Sequence, residues 1–163
     1  MRSYGTLKNI VYFFYRPDVP MEHKNIQLVF FEVNMLKLNR IHHIAIICSD
    51  YQKSKHFYAE VLGLTIKQEV FREARNSYKL DLEVAGQYQI ELFSFPDPPS
   101  RPSRPEAAGL RHLAFEVDDV EEAALHIQSH GIATESIRVD EFTGKRFTFF
   151  ADPDGLPIEF YEK

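Results

Sequence analysis

The chain contains one sequence pattern twice, and this internal repeat constrains the fold more than any other feature. The tetrapeptide that begins at His43 resembles the one that begins at His112, and an aspartate follows each at the same distance. Each half then reaches a glycine and ends on a glutamate between two apolar residues, Glu91 or Glu159. Because the same features recur in the same order, we interpret the chain as two similar modules.

The sequence of each module predicts a strand, a helix and three further strands. The first strands are predicted over 41–48 and 110–117, and the helices over 51–62 and 120–129. Asp50 and Asp119 are placed as N-caps of these helices, and Gly63 and Gly131 as their C-terminal stops. Alternating apolar residues predict the remaining strands near 65–72, 78–84, 88–95, 132–138, 145–151 and 156–161. The pattern indicates an α+β fold of two tandem βαβββ modules, over 41–95 and 110–163.

Two segments lie outside the modules. Residues 96–105 contain five prolines, which predicts a linker because proline cannot sit inside a sheet. Residues 1–34 hold two aromatic-rich apolar runs separated by prolines. We interpret them as an N-terminal extension outside the fold, which leaves 35–163 as a single domain. The alternative is an extra hairpin that packs on the domain or on a partner.

Charge and composition exclude several classes of function. The net charge is -5, and the acidic and basic residues are interspersed, whereas a nucleic-acid-binding protein needs a clustered basic face. No apolar run approaches the roughly 18 residues of a membrane span. The single cysteine, Cys48, excludes an internal disulfide and suits a reducing compartment. We therefore expect a cytoplasmic protein that binds a small molecule and neither nucleic acid nor membrane.

The alternation of side chains along the strands singles out four residues. In each first strand the apolar residues that face the helix alternate with His43 or His112, so both histidines point to the other side of the sheet. Glu91 and Glu159 lie in the last strands, again opposite the apolar face. Isolated carboxylates in apolar strands are costly unless paired or ligated. A lone strand histidine is usually structural, but the repetition favours a metal site in which all four converge.

Longer motifs surround the four residues. They are His43-Ile-Ala-Ile, Phe57-Tyr58 with Val61-Leu62-Gly63-Leu64, Ile90-Glu91-Leu92, Gly109-Leu-Arg-His112-Leu-Ala-Phe, and Asp152-Pro-Asp-Gly155. Together these motifs resemble the vicinal oxygen chelate superfamily, which contains glyoxalases and bleomycin resistance proteins. The resemblance covers residues 39–163. Within the superfamily, 102–106 and 145–150 look like the small bacterial YaeR-like group.

The resemblance implies a fold, a cofactor and a reaction. Paired modules would form an open, cup-shaped mixed sheet around one divalent metal ion (Ni, Zn, Co, Mn or Fe), with His43, Glu91, His112 and Glu159 as ligands. A metal that binds two adjacent substrate oxygens stabilises an enediolate. Glu159 matches the ligating glutamate that moves the proton in glyoxalase I, and Glu91 is its symmetric counterpart. The implied reaction converts a 2-oxoaldehyde–thiol hemithioacetal into a hydroxyacyl thioester, as lactoylglutathione lyase does.

The sequence also departs from glyoxalase I, which leaves alternatives open. Ile47 and Phe95 stand where glyoxalase I usually has an arginine and an asparagine, so the substrate-binding rim is more apolar than a glutathione site. We expect Ile47, Phe95 and Arg146 to contact the substrate, and we expect a homodimer. The alternatives are an isomerase like methylmalonyl-CoA epimerase and a non-catalytic protein that binds a drug or metabolite.

Overall fold

The two modules appear as two four-stranded sheets in the computed structural model, which describes residues 36–163. The predicted extension 1–34 lies outside the described residues and stays a prediction. Module one contains β1 (Ile44–Cys48), α1 (Tyr51–His56), β2 (Thr65–Arg72), β3 (Ser77–Val84) and β4 (Gln87–Ser94). Module two contains β5 (Leu113–Val117), α2 (Val120–Ser129), β6 (Arg138–Val139), β7 (Arg146–Ala151) and β8 (Pro157–Glu162).

The two sheets have the same topology. Their strand orders are β1-β4-β3-β2 and β5-β8-β7-β6. In each sheet the first and last strands of the module pair in parallel, and the other neighbours are antiparallel. The parallel pairing sets Ala45 opposite Glu91 and Ala114 opposite Glu159. The predicted α+β fold of two βαβββ modules with mixed sheets is confirmed.

The helix boundaries follow the predicted caps. The Asp50 carboxylate accepts a hydrogen bond from the Lys53 amide at 3.1 Å, and the Asp119 carboxylate accepts one from the Glu122 amide at 2.9 Å. The first helix does not stay α-helical to Leu62, because Phe57–Val61 forms a π-helical turn. This turn buries its aromatic and apolar side chains in the core. Neither helix in residues 36–163 is long and apolar enough to cross a membrane.

The strand boundaries differ from the prediction mainly in the strands at the edges of the two sheets. The strand predicted over 132–138 is reduced to the two residues of β6. Glu135 nevertheless bonds to β7, since its amide donates to the Phe149 carbonyl and its own carbonyl accepts from the Thr148 hydroxyl. A short, irregular edge is a common way to limit unwanted strand pairing. β1 and β5 begin three residues later than predicted, so each histidine that is predicted as a metal ligand directly precedes its strand.

Both sheets bury their helix-facing sides in one shared core. Ile46, Leu92, Ile158 and Phe160 belong to a single cluster of buried side chains that spans the two modules. Module one also bonds directly to module two, because the Val61 carbonyl lies 2.8 Å from the His126 ring. With the shared core on the helix side of both sheets, the other face of each sheet points away from it.

Tyr58 provides a buried polar link between the modules, and its loss is expected to destabilise the fold. Its fully buried hydroxyl donates to the Asp152 carboxylate at 2.8 Å. Burial raises the pKa of Asp152 above its ordinary value. Tyr58→Phe removes the hydroxyl donor of Asp152 Oδ2, while Oδ1 keeps the main-chain amides of Asp154 and Leu156. The loss of this buried hydrogen bond should lower the free energy of unfolding by about 1–3 kcal/mol in urea titrations.

The matched control for Tyr58→Phe is Tyr161→Phe. The Tyr161 hydroxyl bonds to Asp140 and Thr143 in a more exposed environment, so its removal should change stability by less than about 0.5 kcal/mol. Equal losses from the two variants would contradict a special role for the buried link.

Candidate metal centre

The first half of the candidate centre consists of His43 and Glu91. Ile46 and Cys48 of β1 face the core, whereas Ala45 and Ile47 lie on the opposite side, where Ile47 is 55% exposed. His43 precedes this strand, and its Nε2 atom lies 3.6 Å from Glu91 Oε2. The alternation of side chains therefore brings the imidazole and the carboxylate together on the outer face of the first sheet.

The second half repeats this arrangement with His112 and Glu159. His112 Nε2 lies 3.0 Å from Glu159 Oε2, and the imidazole makes an edge-to-face contact with Phe149. Leu113, on the other face, packs into the core. Glu159 is only 8% exposed, so its carboxylate sits in a largely desolvated position.

The carboxylate of Glu91 is tightly held by its neighbours. Lys79 Nζ lies 2.8 Å from Glu91 Oε1, and the Tyr88 hydroxyl donates to the same oxygen. Burial by itself would raise the pKa of Glu91, but the hydrogen bonds from Lys79 and Tyr88 outweigh it and hold that pKa below its ordinary value. Burial and the bond to Glu91 raise the pKa of Tyr88 to about 12, so the hydroxyl stays a donor. Glu91 is thus a fixed anion.

Glu159 has a different environment. Within residues 36–163, His112 is the one basic side chain that lies within 4 Å of its carboxylate, and no hydroxyl donates to it. The two glutamates are related by the repeat, but only Glu91 is paired with a lysine, which it shares with Asp81. The carboxylate of Glu159 is therefore freer of hydrogen-bond and charge partners than that of Glu91.

The three residues predicted to contact substrate lie in different places. Ile47 shares the outer face with His43, and Phe95 lies 6.1 Å from the Phe93 ring, just after β4. Arg146 lies instead on the helix-facing side of the second sheet. There it is bound by the carboxylates of Glu162 and Glu121. The structure therefore separates Arg146 from His112 and Glu159.

Lys79 and Tyr88 were not among the residues singled out from the sequence. Lys79 lies on β3, and only the β3–β4 register brings it beside Glu91. Tyr88 is three residues before Glu91, so regular alternation places it on the opposite face. An irregularity in the pairing at Leu82 and Glu83 changes that register and allows the contact. Neither contact has a signal in the sequence alone.

The structure joins the members of each pair but does not join the two pairs in one chain. No three His, Cys, Asp or Glu side chains of residues 36–163 approach closely enough to hold a metal ion. The reason lies in the shared core, because each His–Glu pair is on the outer face of its own sheet. Each pair is therefore half of the predicted four-ligand set.

The geometry of each half suits a divalent metal ion. Two ligand atoms about 2.1 Å from one ion, at angles of about 90–110°, are about 3.0–3.4 Å apart. The observed nitrogen–oxygen distances of 3.0 and 3.6 Å are close to this range. Imidazole and carboxylate donors suit Ni, Zn, Co, Mn or Fe. The residues present therefore fit the metal that the sequence predicted.

Comparison with known proteins identifies the family. Residues 40–160 match the sequence model of the Glyoxalase/Bleomycin resistance protein/Dioxygenase superfamily. The chain belongs to this superfamily. The uncharacterized protein YaeR of Escherichia coli (strain K12) is 64% identical over 129 residues, which cover 79% of this chain and 100% of YaeR. This identity confirms the resemblance of this superfamily member to the YaeR-like group.

Two further relatives describe the range of the superfamily around this chain. A glyoxalase family protein from Enterococcus faecalis, known from its crystal structure, is 51% identical to this chain in sequence. The two structures match with a TM-score of 0.70, over 76% of this chain and 98% of that one. A 2-epi-5-epi-valiolone epimerase from Actinomyces sp is 27% identical over 140 residues, covering 73% of this chain and 76% of the epimerase. The superfamily thus includes enzymes that act on small molecules.

Proposed function

We propose that the chain is a divalent-metal-dependent lyase or isomerase whose metal centre is completed by a second copy of the chain. His43 and Glu91 of one copy would hold the ion together with the His112–Glu159 pair of the other. The observation that carries the proposal is the outward placement of two complementary His–Glu pairs on one molecule. Each pair offers two donors, and a complete site needs both.

The free edges of the sheets support this assembly. β1 and β5, the strands next to the ligand histidines, are both edge strands in the described part of the chain. Edge strands offer backbone groups for pairing with another chain. A two-fold dimer that places β1 of one copy beside β5 of the other would join their sheets into one open cup. Such a dimer would contain two equivalent metal centres and would cover the exposed side chain of Ile47.

The chain's residues would divide the chemistry between them. A bound divalent ion acts as a Lewis acid that polarises two adjacent substrate oxygens and so acidifies the neighbouring C–H bond. Glu159 would remove the proton from the sulfur-bearing carbon of a hemithioacetal and deliver it to the neighbouring carbon, which yields a hydroxyacyl thioester. Lys79 and Tyr88 would keep Glu91 ionised and in place. The freer carboxylate of Glu159 supports its assignment as the base.

An epimerase is the second candidate function. The named epimerase among the relatives favours it, and it would use the same residues. Glu159 would then take a proton from a carbon beside a carbonyl group, and the proton would return from the opposite face.

Two further alternatives concern the cosubstrate and the absence of catalysis. Ile47 in place of arginine removes one expected contact to glutathione, so another thiol is an alternative cosubstrate. A third alternative is a binding protein without catalytic activity. The presence of two His–Glu pairs, which together offer four metal donors, argues against it.

Cysteine chemistry does not compete with these proposals. Cys48 is buried, and burial raises the pKa of its thiol to about 11. A thiol with so high a pKa forms little of the nucleophilic thiolate at neutral pH. The only cysteine of the chain is therefore a core residue, and it also suits the cytoplasmic location that we predict.

The test of function is metal analysis combined with a panel of substrates. The purified chain should contain a divalent ion and should isomerise methylglyoxal in the presence of at least one thiol from a series that includes glutathione. Epimerase activity is followed by deuterium exchange at the carbon beside a carbonyl group in candidate acids and thioesters. A metal-loaded protein without isomerase or exchange activity on any member of the panel would contradict an enzymatic role.

Loss of one ligand should weaken metal binding strongly. We expect His43→Ala to cost more than the roughly 10- to 100-fold in affinity that follows loss of an outer-shell partner. Excess metal should partly restore activity, because the other three donors remain. Competition with a chromogenic chelator measures the affinity. The matched control is His56→Ala, whose imidazole is exposed and pairs with Glu60. Equal affinities for the two variants would remove His43 from the site.

A further inference from the structure

A cavity of about 500 Å³ lies beside the second half-site, between the proline-rich linker and the second sheet. His112 and Phe149 line one part of it. The remaining wall is strongly basic although the chain as a whole carries a net charge of -5. Four guanidinium groups line the cavity, from Arg101, Arg104, Arg111 and Arg138.

The acidic residues of the wall do not neutralise these four charges. Glu106 and Glu135 also line the cavity, which leaves an excess of positive charge. Glu135 pairs with Arg138 at 2.8 Å and approaches Arg104 at 3.9 Å. Among the described residues, no carboxylate lies within 4 Å of the guanidinium groups of Arg101 and Arg111. The positive charges of these two arginines are therefore not balanced by an ion pair, although Arg101 already donates hydrogen bonds to the linker.

The basic wall is continuous with the candidate metal centre. Arg111 Nη1 lies 3.3 Å from Nδ1 of the ligand His112. The Arg138 guanidinium lies 5.5 Å from the centre of the Phe149 ring, which itself contacts His112. Arg101 fixes the linker to this wall through bonds to Ser103 and to the main-chain carbonyls of Leu110 and Arg111. A molecule held at the metal would reach these cations directly.

We propose that this cavity binds an anionic group of the substrate, a carboxylate or a phosphate, while another part of the substrate reaches the metal. The inference rests on the proposed function, because it takes the His112–Glu159 pair as part of the reaction centre. Guanidinium groups recognise both kinds of oxyanion through paired hydrogen bonds. Ile47 on the first sheet stands where an arginine was expected and provides no charge. The cavity would supply positive charge to the substrate from the second sheet instead.

The test is calorimetric titration of the metal-free, full-length protein with inorganic phosphate and, separately, with succinate. At least one anion should bind, and the anion that binds more tightly identifies the substrate group as phosphate or carboxylate. Arg111→Gln and Arg104→Gln should each weaken binding about tenfold, the loss expected for one charge-assisted hydrogen bond. Arg104 is 84% exposed, so its replacement leaves the fold intact.

The control Arg75→Gln removes one arginine from the turn before β3, outside the cavity, and should leave the affinity within about twofold. Failure of both anions to bind would overturn the proposal. Equal weakening by Arg75→Gln, or no change with Arg111→Gln and Arg104→Gln, would also overturn it. Because metal is absent, the result does not depend on catalysis. Failure of the isomerase assays would leave the anion measurements unaffected.

Discussion

Replacing Glu159 with glutamine is expected to lower turnover at saturating metal by roughly 100- to 10,000-fold, the usual contribution of a positioned base. Glutamine keeps the size of the side chain and one acceptor oxygen, but it cannot take up a proton at neutral pH. Metal affinity should fall much less, because three donors remain. Turnover must be compared at full metal occupancy, so that loss of metal is not mistaken for loss of chemistry.

The matched control is Glu91→Gln, which makes the same replacement at the symmetric position. Glu91 is held by Lys79 and Tyr88, so we assign it to metal binding and expect a smaller loss of turnover once metal is saturating. If metal-saturated Glu159→Gln turned over at the parent rate, Glu159 would not be the base. A large loss confined to Glu91→Gln would assign proton transfer to Glu91 instead.

The sequence could predict the modules and the two His–Glu pairs because both depend on local regularities. A repeat reveals the modules, and the period of two along a strand places His43 opposite the core-facing Ile46. The parallel pairing of β1 with β4 then brings Glu91 to the same face. Arg146 was predicted from the sequence to contact the substrate. In the structure it bonds to Glu162 on the helix-facing side of the second sheet, a contact that the sequence did not reveal.

The arrangement of the modules could not be predicted, because it depends on how two apolar faces pack. The sequence allows the modules to meet within one chain or across a dimer. Only the shared core, with contacts such as Phe57 to Phe150, shows that the two pairs lie on separate outer faces. The basic cavity was equally hidden, because the linker residue Arg101 and the sheet residue Arg138 meet only in three dimensions.

Removing either half of the metal centre is expected to abolish metal binding nearly completely. One double variant carries His43→Ala and Glu91→Ala, and the other carries His112→Ala and Glu159→Ala. In a dimer of either variant, every site retains only one His–Glu pair, which is too few donors for tight binding of these ions. Metal content after gel filtration should be close to zero for both variants. Circular dichroism and light scattering would verify that each still folds and associates as the parent does.

The most direct test of a centre shared between two chains is the metal content of a mixed dimer. The two double variants are co-expressed with different affinity tags, and the dimer that carries both tags is isolated by two successive purifications. The shared-site account predicts about one ion per mixed dimer, half the parent value, because one of its two sites combines the intact pairs. A mixed dimer without metal, or failure of the two chains to associate, would contradict the account.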